Sequence, residues 1–266
     1  MNGGSDMNQN QSFHDGTDQI PSGPVHKMEV AAGSTSSREF VRYALSIGAI
    51  ELVPDGRKLR SGRISPYFFN SGLFNTGDSL SRLAGAYAVA VYKEGNRPGV
   101  IFGPAYKGIP LVAAVAVILG NSIGYAFDRK EEKDHGEGGL IVGASLNGQN
   151  VCILDDVMTT GKSIIDAAEI IRKEGGIPIN CVIAFDRQER VKGELSAVQE
   201  FEKEHGLAVH AAATLEDLIW VLKDQLENDE QLDDLQQFRL DLVIGKILEY
   251  KAEYGVEVET RHGVAS

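Results

Sequence analysis

Along the chain, hydrophobic periodicity starts late. Residues 1–36 mix Asn, Gln, Ser, Gly and Asp without any apolar period, and such a segment cannot offset its ordering entropy, so disorder is expected there. From Ser37 the pattern changes. Phe40, Val41, Ala44, Leu45 and Ile50 recur at helical spacing, with Ser36 or Ser37 available as an N-cap, and a short polar loop, Pro54–Arg57, follows. Beyond it, short β-rich runs alternate with helical ones: Gly99–Phe102 with Ile109–Leu119, Val151–Leu154 with Ile164–Lys173, and Cys181–Phe185 with Leu195–Glu204. Strand–helix alternation predicts βαβ units, hence an α/β protein built on a parallel sheet. The predicted strands run into Gly- and polar-rich loops, Gly103–Gly108, Asp155–Ser163 and Asp186–Gly193, at the carboxyl ends where open α/β sheets bind ligands. The stretch Asp128–Gly139 carries both charges, three Gly and no apolar residue, and is expected to be a loop that moves in the free protein. After Leu222, apolar residues at 232, 235, 238, 242 and 248 predict an acidic helix lying on the surface or on a partner.

Composition narrows the class. With 266 residues, 42% hydrophobic and 24% charged, the chain is a core-bearing globular protein, best read as one large domain with appendages. Its 26 basic and 38 acidic side chains give a net charge of −12, which argues against a general nucleic-acid or anionic-membrane binder. The excess is uneven. Residues 1–37 hold one Lys against four acids and residues 223–266 five bases against eleven acids, leaving −3 for 38–222. Cys152 and Cys181 each lie in an apolar run, as expected of small buried hydrophobes in a reducing compartment. The longest apolar stretch, Ile109–Leu119, is too short to span a bilayer, and no signal-peptide h-region precedes it. A cytoplasmic protein is therefore expected.

The strongest chemical signal is Val151–Ser163, VCILDDVMTTGKS. A strand leads into two acids, then into small hydroxyl residues and Gly that open a helix. Amides and hydroxyls of Thr159, Thr160 and Ser163 suit a phosphate at the helix N-terminus, with Gly161 allowing close approach. Asp155 and Asp156 would repel that phosphate, so the ligand must also offer hydroxyls or a metal ion, and a ribose 5-phosphate offers both halves. Helix capping accounts for one of the acids. Gly161-Lys162-Ser163 matches the end of a P-loop, but the earlier Gly that motif requires falls on Asp156.

This segment resembles the phosphoribosyl pyrophosphate motif of the type I phosphoribosyltransferases. The flanking sequence narrows the resemblance: KLRSGR at 58–63, SPYFFN at 65–70, FGPAYKGIP at 102–110, Arg129-Lys130, KDHGEGG at 133–139 and FDRQER at 185–190 are similar to the orotate phosphoribosyltransferase family. The resemblance runs from about Arg38 to Leu222. It implies a type I phosphoribosyltransferase-like fold, α/β with a central parallel sheet flanked by helices and a small N-terminal hood formed largely by 37–75. The phosphoribosyltransferase domain would span 37–222, between the segment 1–36 and an acidic helical extension, 223–266.

The implied reaction transfers the phosphoribosyl group of 5-phosphoribosyl 1-diphosphate (PRPP) to N1 of orotate, giving orotidine 5'-monophosphate and pyrophosphate. The anomeric carbon becomes cation-like while the leaving group gains negative charge, so catalysis should be electrostatic and positional. Lys107, in a turn freed by Gly103 and Gly108, is placed to meet pyrophosphate along with nearby backbone amides. Arg129, Lys130, Lys133 and His135 add positive charge from the charged loop, which the resemblance implies closes over the reactants. His135 is a candidate leaving-group acid, though a hydrogen-bond donor to pyrophosphate is the favoured reading. Lys107, Lys133, His135, Asp155 and Asp156 are thus the catalytic candidates. The donor-binding set adds Arg60, Tyr106, Arg129, Lys130 and the motif residues Val157, Met158, Thr159, Thr160, Gly161, Lys162 and Ser163, with Lys162 at a variable position. Arg60 stands where the family usually has Lys, which keeps the charge and changes the reach.

Orotate is a flat anion, and Phe68, Phe69 and Arg187 suit its ring and carboxylate. By resemblance, these positions and Thr159 contact the base. Adjacent strand residues face opposite ways, so at most one of the two Phe rings can stack on it. Mg2+ is implied because a pyrophosphate donor binds such ions through its own oxygens, and no direct protein ligand is assigned. The resemblance also implies a homodimer in which Lys133 and His135 complete the neighbouring subunit's site. Alternative functions are phosphoribosyl transfer to another base, or a non-catalytic regulator that binds phosphoribosyl ligands; the latter would need a nucleic-acid-binding module, and neither terminus offers a basic recognition helix. The 44 residues after Leu222 are too few for the decarboxylase barrel of about 250 residues that a bifunctional uridine monophosphate synthase would carry.

Overall fold

The computed structural model describes residues 35–120, 123–133, 139–158, 160–191 and 193–256. Helix α1 (Ser37–Ser46) begins at a capping box, Ser36 accepting from the Glu39 amide and Glu39 answering the Ser36 amide. Strands β1 (Ile50–Lys58) and β2 (Ile64–Phe69) pair antiparallel in a small sheet of their own. The polar stretch Pro54–Arg57, expected as a loop, lies inside β1. Pairing breaks after Leu52 and resumes at Arg57 opposite Ser65, so those residues form a bulge, with Gly56 at φ +80° supplying the left-handed turn.

Helix α2 (Gly77–Val91), capped by Thr76, leads to the main sheet. Its strands are β3 (Val100–Gly103), β4 (Gly124–Lys133), β5 (Gly139–Gly143), β6 (Asn150–Leu154), β7 (Ile177–Asp186) and β8 (Ala208–Thr214). They lie in the order β5-β4-β3-β6-β7-β8, parallel except for β5. Helices α3 (Gly108–Leu119), α4 (Lys162–Lys173), α5 (Ala197–His205) and α6 (Leu215–Asn228) alternate with the strands, and α7 (Asp234–Tyr254) ends the fold. Side chains along the central strands alternate between two buried clusters. Ile101, Cys152, Leu154, Val182 and Ala184 pack with α1, α2, α3, α6 and α7, while Phe102, Val151, Ile153, Cys181 and Ile183 pack with α4 and Phe201 of α5. Both cysteines are free and fully buried, as expected of small hydrophobes.

The Asp128–Gly139 stretch departs from its expectation as a loop. β4 continues through it to Lys133, which pairs with Gly139 of β5, because polar residues are tolerated in a hairpin at the margin of the sheet, where no core has to be filled. Residues 134–138 lie outside the described part. The acidic extension is helical, but it packs through a different face from the one its apolar positions suggested. Val243, Ile244, Ile247 and Tyr250 enter the core while Leu235, Phe238, Leu242 and Leu248 stay exposed. Leu222, drawn as the end of the enzyme domain, falls inside α6. The segment 1–34 lies outside the described residues. Among those described, no helix is long and apolar enough to cross a membrane.

Candidate active site

The strand order places the site. The connection from β3 leads through α3 to β4 on one side, and that from β6 leads through α4 to β7 on the other. Chains leaving the adjacent carboxyl ends of β3 and β6 therefore diverge and open a crevice between them. Into it come the turn after β3 and the loop after β6. The first turn is tightened by Gly103 and Gly108, which pack against each other so closely that a Cβ on either would strike the other's backbone. Asp128 of β4 braces it by accepting from the Ala105 amide at 2.7 Å. Tyr106 is 68% exposed beside Lys107, whose ammonium lies 2.5 Å from the Asp156 carboxylate across the crevice.

The loop after β6 is anchored at every step. Tyr87 of α2, wholly buried, donates to the Asp155 carbonyl at 2.6 Å. The Asp155 carboxylate accepts from the Ser163 hydroxyl and, at 2.9 Å, from the Asp156 amide. Burial raises this carboxyl above the usual range, and those two hydrogen bonds pull it part of the way back. Asp156 accepts from Lys107 and, at 2.9 Å, from Ser71. Val157 packs on one core cluster and Met158 on the other, so the motif's apolar side chains hold the loop to both faces of the sheet. Gly161, at φ +69°, caps α4, and a Cβ there would run into the Phe201 ring. Both reasons exclude a side chain. Thr160 and Ser163 remain exposed at the helix N-terminus, next to unpaired helix amides that suit an anion. Lys162 points elsewhere, paired with Asp166 at 3.0 Å.

On the β7 side, Arg187 is held by a carboxylate, a hydroxyl and a ring. Its Nε donates to Glu189 at 2.7 Å and its Nη2 to the Ser65 hydroxyl at 2.8 Å, while its guanidinium carbon lies 4.2 Å from the Tyr67 ring centre. Phe69 is buried and stacks on Phe185 at 5.5 Å. Phe68 is half-buried on the opposite face of β2, its ring 4.0 Å from the Arg57 guanidinium carbon. The neighbouring rings thus take core and surface roles, as strand alternation requires.

Comparison with known proteins bears on what such a crevice serves. The family model "Phosphoribosyl transferase domain" matches residues 76–210. The chain is 46% identical over 226 residues to the orotate phosphoribosyltransferase of Thioalkalivibrio sulfidiphilus, covering 84% of this chain and 99% of that protein. It is 51% identical over 205 residues to the same-named protein of Marinobacter nauticus, covering 76% and 95%. This chain belongs to the orotate phosphoribosyltransferase family. The solved orotate phosphoribosyltransferase of Francisella tularensis superposes with a TM-score of 0.67 at 35% identity, over 81% of this chain and 98% of that one.

Of the residues expected at an orotate phosphoribosyltransferase site, the structure brings Lys107, Asp155 and Asp156 together with Gly161 and Ser163, and it puts Arg187 and Phe68 on the hood side. Arg60 is exposed in the β1–β2 turn, and Arg129 is half-buried on β4. Lys130 and Lys133 fall on β4, but their side chains, with His135 and Thr159, lie outside the described residues. Sequence reasoning gave no role to Ser71, Tyr87, Asp128 or Phe201. Asp128 opens the charged stretch and Ser71 follows the SPYFFN motif, whereas nothing sets Tyr87 apart from any aromatic on a buried helix.

Proposed function

We propose that this protein carries out phosphoribosyl transfer from PRPP to N1 of orotate with these residues, and the observation that carries the reading is the meeting of Lys107 with Asp156 across the β3–β6 crevice. That contact joins a cation suited to pyrophosphate with an acid suited to ribose where the two loops meet. The α4 N-terminus would take the 5-phosphate on the Thr160 and Ser163 hydroxyls and the helix amides. Asp155 and Asp156 would take the ribose hydroxyls, and their negative charge favours the cation-like anomeric carbon as its bond to pyrophosphate breaks and the bond to N1 forms. Lys107 must then exchange Asp156 for the incoming pyrophosphate, which frees Asp156 for the sugar. Arg187 would take the carboxylate of the base, and by the family resemblance Phe68 and Thr159 would contact its ring, although Phe68 lies on the face of β2 away from Arg187.

Two neighbouring carboxylates are hard oxygen donors, but too few to hold Mg2+ alone. They fit an ion held chiefly by the donor's own oxygens, with Asp155 or Asp156 reached through water. Such an ion would supply charge neutralisation on pyrophosphate. We further propose a cytoplasmic homodimer in which Lys133 and His135 serve the neighbouring site, with His135 donating a hydrogen bond to pyrophosphate. The test is orotate consumption with PRPP and Mg2+, with adenine, uracil and hypoxanthine as controls. Turnover of orotate alone is expected, and turnover of another base in its place would overturn the reading.

A further inference from the structure

Glu189 lies between two guanidiniums. Its Oε1 accepts from Arg187 Nε at 2.7 Å, with Arg187 Nη2 also 2.7 Å away, and from the Tyr67 hydroxyl at 3.3 Å, while its Oε2 accepts from Arg63 Nη1 at 3.3 Å. Only 12% of the side chain is exposed. Burial pushes the Tyr67 hydroxyl well above its ordinary range, so it remains a neutral donor. Two guanidiniums against one carboxylate leave a single positive charge in a half-buried place, where an anionic ring substituent gains more from pairing than it would in water. Holding Arg187 by two of its nitrogens also fixes the plane of its fork, and a carboxylate needs that plane for bidentate pairing.

The backbone carrying Glu189 is clasped from the end of α7. The Arg190 amide donates to the Tyr254 carbonyl at 2.8 Å and the Val256 amide to the Gln188 carbonyl at 3.0 Å, with Glu189 bridged antiparallel to Gly255. Gln188, at φ +54°, is further fixed by accepting from the Glu216 amide at 3.1 Å. The Tyr254 ring lies 4.6 Å from the Arg63 guanidinium carbon. We propose that Glu189, held in register by the C-terminal turn of α7, is a positioning residue for Arg187 and thereby sets the preference for an anionic base over a neutral one. The proposal rests on the assignment of Arg187 to the carboxylate of the base.

The test is steady-state kinetics with orotate and PRPP varied separately for Arg187→Ala, Glu189→Ala, Glu189→Gln, Glu189→Asp and Tyr254→Ala, with thermal melts to verify folding. Glu189→Ala should raise the KM for orotate about tenfold and leave that for PRPP within about twofold. Glu189→Gln, which keeps an acceptor oxygen, should recover most of the loss, and Tyr254→Ala should raise the orotate KM about threefold. An orotate KM that rises in Arg187→Ala but not in Glu189→Ala would overturn the positioning role alone, as would an equal rise for both substrates. No change in Arg187→Ala would overturn the base-pocket assignment first, and the proposal with it. If Glu189→Ala does not fold, Glu189→Asp decides, since its shorter carboxylate no longer reaches Arg187 and an orotate-specific rise supports the proposal while an unchanged KM overturns it.

Discussion

Asp155 and Asp156 are adjacent, yet their surroundings differ. Asp155 is buried and tied to Ser163 and a backbone amide, whereas Asp156 reaches across the crevice to Lys107 and Ser71. Replacing both with Asn keeps the side-chain shapes, removes the charges and turns one acceptor oxygen of each into a donor, so the protein should still fold while kcat falls by about a hundredfold or more. Full turnover in the double variant would remove them from the site. Asp186 poses a different question, because burial pushes its carboxyl up to about 6. The unfolded chain releases this proton near its ordinary value while the folded chain retains it. Stability therefore falls as pH rises from about 4 to 6 and stays lower above. Asp186→Asn keeps the oxygen that accepts from the Gln188 amide at 2.8 Å and should add on the order of 2–3 kcal/mol at pH 7 but nothing near pH 4. Urea melts at the two pH values would check this, and an equal change at both would refute the linkage. Such pairings explain what the sequence could and could not say of the site. Asp155 and Asp156 stood out as adjacent acids at a strand end beside small hydroxyl residues, whereas Lys107 and Arg187 were marked by the family resemblance. Their partners did not, because Tyr87 and Ser71 come from far along the chain, and no local pattern marks which distant hydroxyl will meet a given carboxylate.

The element proposed to bind the donor's 5-phosphate is the N-terminus of α4, and its geometry depends on Gly161. A residue with φ +69° whose Cβ would meet the Phe201 ring is restricted twice, by backbone conformation and by packing. Gly161→Ala should therefore cost about 1–3 kcal/mol of stability and raise the KM for PRPP more than that for orotate, because the distortion falls on the phosphate cradle. Melts and paired kinetics would show it, and a larger effect on orotate would contradict the placement of the 5-phosphate. Periodicity exposed most elements at this scale. The alternation of β3, β6 and β7 with α3, α4 and α5 was legible because each strand is short and apolar, and each helix carries its own cap or Gly boundary. Two elements were misread for a common reason. β1 resumes its pairing beyond the bulge only at Arg57, and β4 only at Lys133, and pairing leaves little trace in a hydrophobic pattern. On α7, the exposed leucines and Phe238 mimic a buried face. Which face is buried is set by where α6 and the hood stand, which is knowledge of the fold and not of the helix.

For the molecule as a whole, the topology that opens the crevice between β3 and β6 also places the β4–β5 hairpin on the β3 side of it, at one margin of the sheet. Lys133 ends β4, paired with Gly139, two strands over from β6, whose loop carries the two acids. In the proposed shared site, which the family resemblance implies, Lys133 would serve a neighbouring subunit's crevice in a symmetric pair. Complementation tests it directly. Lys133→Ala and the Asp155→Asn/Asp156→Asn double variant should each be nearly inactive alone. When they are mixed and allowed to exchange subunits, a mixed dimer carries both lesions in one site and none in the other. With complete exchange at equal amounts, half the dimers are mixed and each has one working site, so activity should recover to roughly a quarter of the unmodified enzyme. Mass spectrometry of differently tagged chains would verify exchange. If exchange is complete and activity stays at the level of the parents, every site still holds a lesion, and Lys133 serves its own subunit.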